Sequence, residues 1–183
     1  LRARGADPLL TTLDVCDRPG IRAFRDAVLQ RYGHVDTVLS NVGIGFFGPF
    51  EELDLERAAR CVEINVMGTA AILQAFIPSM RERRAGTLIA VSSLVGQIPF
   101  PFESIYSATK FAVEGLVLSL RYEVEPFGLR VALDEIERAL EAEGRSVMAA
   151  GSDDLIAIGI KADAATEADA TSITAALAER YKL

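Results

Sequence analysis

The stretch Thr87-Leu-Ile-Ala-Val-Ser-Ser93 is followed, beyond a loop holding Pro99 and Pro101, by Tyr106-Ser-Ala-Thr-Lys110. The first segment is an apolar, β-branched run that ends in two serines. That is the composition of a buried strand whose polar residues begin where the sheet stops. The second segment opens a run of helix formers, so Tyr106 and Lys110, spaced i and i+4, share one face of a helix. A hydroxyl at a strand end, a phenol on the next helix and a cation one turn along form a plausible proton-transfer set. A cation beside a phenol favours the phenolate, and a phenol so tuned can act as general acid or base near neutral pH. The Ser93 hydroxyl can donate a hydrogen bond to a carbonyl oxygen.

Working outward from this pair, the same alternation continues in both directions. Leu9-Leu-Thr-Thr-Leu13 reads as a short strand with Asp14-Val15 at its carboxyl end. Pro19 opens a helix at a position where proline is tolerated; Ile21, Phe24, Val28 and Leu29 give it helical spacing as far as Tyr32, and Gly33 ends it. Asp36-Thr-Val-Leu-Ser40 is the next strand, followed by Asn41-Val-Gly-Ile-Gly45. Asp54 is placed to cap a long helix from Leu55 to about Arg83. Gly86 closes that helix before the Thr87 strand. The helix that begins near Ser104 is stopped by Pro126 and Gly128, and Leu129-Arg-Val-Ala-Leu133 is a further strand. At the amino end, Leu1 to Ala6 reads as the tail of a helix capped by Gly5.

Strands alternating with helices through short connections predict an α/β fold, a Rossmann-like doubly wound parallel sheet with helices on both faces. In such sheets ligands sit at the carboxyl ends of the strands. Asp14, Asn41, Gly43 and Ser93 all fall there, so position and chemistry agree.

With these residues in place, the chain resembles the short-chain dehydrogenase/reductase family. The segment from Ser92 through Tyr106 and Lys110 to Leu116 is similar to that family's active-site segment along its whole length, and the resemblance covers about residues 1 to 132. It implies an NAD- or NADP-dependent oxidoreductase that interconverts an alcohol and a ketone or aldehyde. It implies Tyr106 as the acid/base, Ser93 as the group that orients the substrate carbonyl, and Lys110 as the residue that binds the nicotinamide ribose and tunes Tyr106. Asn65, in Glu63-Ile-Asn-Val-Met-Gly68, sits inside the long helix although asparagine is a poor helix former. Its own chemistry is that of a helix kink, and the resemblance makes it the fourth catalytic residue. Asn41 and Gly43 resemble the family's Asn-Asn-Ala-Gly segment, with Ser40 and Val42 as departures, and imply a wall against the adenine ribose. Asp14-Val15 resembles a pair that contacts adenine; read alone, Asp14 is a capping or turn aspartate. The apolar loop Ile98-Pro-Phe-Pro-Phe102 points to a small hydrophobic carbonyl or alcohol substrate. A homo-oligomer is expected.

Two features depart from the family pattern. No Gly-x-x-x-Gly-x-Gly turn occurs in the sequence, so the dinucleotide-binding sheet is expected to be incomplete at its N-terminal βαβ unit. That leaves the alternative of a truncated, non-catalytic subunit or assembly module of the same fold that binds no cofactor. Second, Leu133 is followed by the acidic run Asp134 to Glu143, expected to be a helix. Residues 133–183 then form an extension in which Asp163 to Tyr181 aligns without gaps on Asp14 to Tyr32. Ala27, Arg31 and Tyr32 meet Ala176, Arg180 and Tyr181. Leu155 to Ile160 is the expected strand before it. Either this is a repeat of residues 9–32, or two Ala-rich amphipathic helices simply resemble each other.

Composition narrows the classes further. The 183 residues are 50% hydrophobic and 25% charged, which is ordinary globular usage and enough for a real core. A net charge of −7 offers no electrostatic footprint for nucleic acid. No uninterrupted apolar run reaches membrane-spanning length, so no membrane span is expected. The first residues lack the apolar core of a signal peptide, and a cytoplasmic location is expected. Cys16 and Cys61 fit no metal spacing and read as free thiols in a reducing compartment. His34, the single histidine, reads as a loop residue, and no metal site is expected.

Overall fold

A computed structural model of the chain describes residues 8–134 and 156–158. They form four parallel strands, β1 (Thr37–Ser40), β2 (Gly86–Val91), β3 (Leu129–Asp134) and β4 (Ile156–Ile158), in the order β3-β2-β1-β4. Register is set by Leu39 opposite Ile89 and Ala157, and by Ile89 opposite Ala132. β1 is buried on both faces, so it can be a continuous Thr-Val-Leu-Ser run without apolar/polar alternation.

Helix α1 (Arg18–Tyr32) starts where Asp17 accepts a hydrogen bond from the Gly20 amide, with proline in the first turn. It ends at Gly33, whose φ of 80° a side chain would resist. Asp54 caps α2 (Leu55–Val62) by accepting from the amides of Glu56 and Arg57. A π-helical turn, Glu63–Gly68, joins α2 without a break to α3 (Thr69–Arg83). Helix α4 (Ser104–Val124) passes into a short turn at Pro126 and stops at Gly128.

The helices α1, α3 and α4 pack on the sheet face that carries Val38, Leu88 and Ala90. Val28, Ile72, Leu73, Phe76, Met80, Val113 and Val117 fill the space between them. Burying a side chain the size of Phe76 contributes about 1.5–3 kcal/mol. The opposite face carries a separate apolar cluster of Leu39, Ile89 and Val91, with Ala132 beside it. β1, β2 and β3 thus send alternate residues to the two faces. By length and a mean hydropathy of 1.4, Leu55–Arg83 would be able to cross a membrane. In the fold, the α3 residues Ile72, Leu73, Phe76 and Met80 are core contacts.

One expected strand is absent. Residues 9–13 form no ladder with the sheet. A strand is defined by its partner, and the edge of β1 opposite β2 is paired with Ile156–Ile158. Leu9 and Leu13 instead lie against the core as partly buried apolar residues. The strand expected within 155–160 is present at Ile156–Ile158, while its expected counterpart at 9–13 is not a strand. The expected helices at Leu1–Ala6, Asp134–Glu143 and 167–181 lie outside the described residues, except for Asp134, which ends β3.

Candidate active site

The carboxyl ends of β1 and β2 are where the sequence-predicted residues meet. Ser40, the last residue of β1, is buried and donates to Thr69 Oγ1 at 3.3 Å, so this departure from the family pattern has a partner. Beyond it the chain turns out through exposed Asn41, buried Val42 and exposed Gly43. At Gly43 a Cβ would lie 3.5 Å from Lys110 Nζ and 3.7 Å from Asn65 Oδ1. The glycine keeps open a small cleft walled by an amide and an ammonium group.

Asn65 lies in the π-helical turn and is completely buried. Its carboxamide replaces the hydrogen bonds that the loop after β1 cannot form within a sheet. Oδ1 accepts from the Ile44 amide at 2.8 Å, and Nδ2 donates to the Ile44 carbonyl and to Thr109 Oγ1, each at 3.0 Å. Cys61 Sγ is 3.4 Å from the same nitrogen. Burial pushes the Cys61 thiol up, so it stays neutral beside the amide. A single inserted residue in the helical ladder is a common device at functional sites. Here it turns a poor helix former into the post on which the β1 loop hangs.

From α4, Lys110 reaches inward. It is 4% exposed and its ammonium group donates to the Val91 carbonyl at 3.0 Å. Lys110 Nζ also lies 5.7 Å from the centre of the half-buried Tyr106 ring, within range of the attraction between a cation and a π face. Val91 ends β2, and Ser92 and Ser93 follow it. Ser93 is buried, with extended backbone, and its carbonyl accepts from the Gly96 amide at 2.9 Å. Ser92 donates to Glu114 Oε1 at 2.7 Å, which ties the serine turn to α4. Space there is tight: a Cβ on Gly96 would lie 2.7 Å from Ser92 Oγ and 3.3 Å from the Lys110 backbone carbon. The structure therefore brings Gly43, Asn65 and Lys110 together and sets Tyr106 beside Lys110, with Ser93 on the turn that Lys110 and Glu114 hold.

Asp14 and Val15 have other attachments. Asp14 Oδ1 accepts from the Cys16 amide at 2.9 Å and Oδ2 accepts from Arg60 at 3.2 Å. The Cys16 amide holds this carboxyl below its usual range; burial opposes it, and the Arg60 guanidinium adds to the lowering. The bond to the Cys16 amide makes Asp14 part of the turn that leads towards α1. Val15 is 3% exposed and packs beneath Gly68, where a Cβ would meet its Cγ2 at 2.9 Å. Its side chain belongs to the core, which leaves only backbone for contact with a ligand.

The sequence reading did not single out Phe47, Phe50 or Glu114. Phe47 and Phe50 stand exposed on the loop after β1, and the Gly48 amide donates to the Phe102 carbonyl at 2.9 Å. That bond joins this loop to the Pro-Phe loop, where Ile98, Phe100 and Phe102 are also exposed. Phe102 adopts φ 67°, a left-handed conformation uncommon for a bulky residue. The Phe46-Phe47 pair preceding Gly48 was the available signal. Glu114, i+4 from Lys110 on the same helix, could have been found by continuing the helical spacing one more turn.

A nicotinamide dinucleotide can be tested against these groups. Beside Gly43 the Lys110 ammonium can donate to a ribose hydroxyl, while the Asn65 amide is spent on Ile44 and Thr109. The ammonium and the bare glycine backbone fit the ribose of a nicotinamide nucleotide. Among the described residues, no glycine-rich turn leads from a strand into a helix N-terminus, the usual seat of the pyrophosphate.

Comparison with known proteins bears on the family and the fold. A human protein named 17-beta-hydroxysteroid dehydrogenase type 1 is 40% identical over 123 residues, which is 67% of this chain and 37% of that protein. The crystal structure of a short-chain dehydrogenase from Streptomyces avermitilis is 36% identical with a TM-score of 0.65, covering 82% of this chain and 52% of its own. A metagenomic short-chain oxidoreductase solved in complex with NADP is 29% identical with a TM-score of 0.68, covering 72% of this chain and 60% of its own. The chain therefore spans well under half the length of that human relative. The family profile described as short chain dehydrogenase matches residues 1–136. With that match over most of its length, and a parallel sheet shared with solved members, this chain belongs to the short-chain dehydrogenase family.

Proposed function

We propose that this chain carries the proton-transfer half of an NAD(P)-dependent oxidoreductase that interconverts an alcohol and a ketone or aldehyde on a hydrophobic substrate. The observation that carries the reading is the placement of Asn65 and Lys110 beside Gly43 at the strand ends, with the Tyr106 ring 5.7 Å from Lys110 Nζ. The dinucleotide, when bound, takes or supplies the hydride. In the oxidation direction the Tyr106 oxygen takes the hydroxyl proton of the alcohol, and in reduction it returns that proton to the carbonyl oxygen. Lys110 favours the phenolate by its charge and binds the nicotinamide ribose. Ser93 donates to the substrate oxygen, and Asn65 holds the loop that lines the cleft. Asn41 and the Asp14–Val15 backbone are assigned to the adenosine side.

The exposed phenylalanines of the two joined loops support a hydrophobic substrate, as does the hydroxysteroid named for the human relative. NADP is the cofactor named for the metagenomic neighbour, and either nicotinamide dinucleotide remains within the proposal.

The test uses 17β-estradiol as probe, with NAD⁺ and NADP⁺ in parallel, and follows absorbance of the reduced nicotinamide. Tyr106→Phe should abolish turnover and leave the denaturation midpoint unchanged, because only the phenol oxygen is lost. Near-normal turnover in that variant would refute the assignment of the proton to Tyr106. Absence of turnover and of cofactor binding in the unaltered chain would favour the non-catalytic module.

A further inference from the structure

Thr109 lies inside the Tyr-x-x-x-Lys segment, has no role in the reading above, and is 1% exposed. Its hydroxyl is 2.7 Å from the Tyr106 carbonyl, to which it donates, and 3.0 Å from Asn65 Nδ2, from which it accepts. A hydroxyl has one proton. Because that proton goes to Tyr106, the oxygen faces Asn65 only as an acceptor.

The direction of the rest of the chain follows. The Ile44 amide must donate, so the atom it meets is Asn65 Oδ1. The two Nδ2 protons then have two oxygen acceptors, the Ile44 carbonyl and Thr109 Oγ1. Cys61 Sγ, at 3.4 Å, is a weak acceptor that substitutes poorly for either. Every strong bond that orients the Asn65 amide thus runs either to the β1 loop or to Thr109. Thr109 is the link by which the π-helical turn is registered against the turn of α4 that carries both Tyr106 and Lys110.

We infer that Thr109 is a positioning residue: its hydroxyl fixes the Asn65 carboxamide, and through it the Ile44 backbone beside Gly43, relative to Tyr106. The inference rests on the dehydrogenase reading for its catalytic consequence but not for the hydrogen-bond relay itself. A control lies two residues away. Ser107 Oγ is equally buried and has no hydrogen-bond partner among the described residues. Removing that hydroxyl changes the same helix without cutting the relay.

The experiment compares Thr109→Val, which keeps the shape and loses the hydroxyl, with Thr109→Ser, which keeps the hydroxyl, and with Ser107→Ala. Amide hydrogen exchange at Ile44 reads the relay without turnover. Thr109→Val should speed exchange at Ile44 at least tenfold while Leu88 and Ile89 of β2 keep their rates. Thr109→Ser and Ser107→Ala should stay within twofold of the unaltered chain. With 17β-estradiol and NADP⁺, Thr109→Val should lower kcat about tenfold with KM within twofold, and Thr109→Ser should restore it. Unchanged Ile44 exchange in Thr109→Val overturns the inference whatever the turnover. Faster exchange with unchanged kcat overturns the catalytic consequence. Faster Ile44 exchange in a chain that never turns over upholds the relay and overturns the dehydrogenase reading instead. If Thr109→Val does not fold, Thr109→Cys, of similar size and a weak hydrogen-bonding group, is read by the same exchange ratio.

Discussion

The Lys110 ammonium donates to the main-chain carbonyl of Val91 at 3.0 Å, across the gap between α4 and the end of β2. A charged group with 4% exposure carries a desolvation cost, and the bond to Val91 offsets part of it. The same bond fixes where β2 ends and hence where Ser92 and Ser93 begin.

This relationship separates function from stability at one position. Lys110→Met keeps much of the side-chain volume, removes the buried charge and leaves the Val91 carbonyl without its donor. The lost hydrogen bond costs about 1 kcal/mol and the relieved desolvation acts in the opposite direction. Urea denaturation should therefore place the variant within about 1.5 kcal/mol of the unaltered chain. Turnover with 17β-estradiol should vanish and NADPH affinity should fall. A variant that unfolds outright would make Lys110 a structural residue, and an unchanged NADPH affinity would count against its ribose role.

The Ser92–Glu114 pair makes the complementary case. Ser92 is buried and its hydroxyl donates to Glu114 at 2.7 Å. Glu114→Ala leaves that hydroxyl unpaired in a space that the Lys110 backbone and Gly96 already crowd, and should cost about 1–3 kcal/mol of stability. Glu114→Gln retains an oxygen acceptor and should cost less than about 1 kcal/mol. Equal losses in the two variants, measured by urea denaturation, would show that the carboxylate charge rather than the hydrogen bond matters.

Much of this architecture was legible in the sequence because it depends on local pattern. The cap at Asp54, the helix start at Pro19, the stop at Gly33 and the strand that ends at Val91 each follow from neighbouring residues. Tyr106 and Lys110 share a helix face because four residues is about one turn. What could not be read is what depends on distant partners. Leu9–Leu13 has strand composition but no ladder, since the sheet edge it would use is paired with residues far along the chain. Asn65 was marked by its poor helix propensity, yet nothing local tells that its amide will satisfy the Ile44 backbone. Asp14 and Val15 are adjacent, and tertiary packing sends one carboxylate to Arg60 and the other side chain into the core.

Asp36 provides a pH test away from the cleft. Its Oδ1 accepts from Arg83 at 2.8 Å and its Oδ2 is 3.2 Å from His34 Nε2. The Arg83 hydrogen bond, aided by the His34 charge and opposed by burial, lowers its pKa. A carboxyl whose folded pKa lies below its unfolded one adds stability that is complete above the unfolded value and is lost as pH falls through the folded one. With the carboxylate 48% exposed, the contribution is no more than about 1 kcal/mol. Asp36→Asn should therefore be slightly less stable at pH 7. The gap should close only as the pH falls below the ordinary carboxylate range. A gap that persists undiminished there would mean the amide is disfavoured for steric reasons instead.

Gly43→Ala isolates the cleft itself. The added methyl would lie 3.5 Å from Lys110 Nζ and 3.7 Å from Asn65 Oδ1, both ordinary contacts, so the folded chain has room for it. Replacing glycine by alanine also narrows the unfolded ensemble, which favours folding by about 0.4–1 kcal/mol where the backbone is compatible. The variant should be as stable as the unaltered chain or slightly more so. In the proposed reading, however, the methyl occupies the space between Lys110 and the nicotinamide ribose. Overpacking of that kind costs about 1–3 kcal/mol, and ~1.4 kcal/mol is tenfold in affinity. NADPH fluorescence titration should accordingly show a loss of about fivefold or more in a chain that is no less stable to denaturation. Equal NADPH affinity in the two proteins would remove the cofactor from this cleft, and a marked loss of stability would mean that Lys110 and Asn65 stand closer to Gly43 than the structure places them.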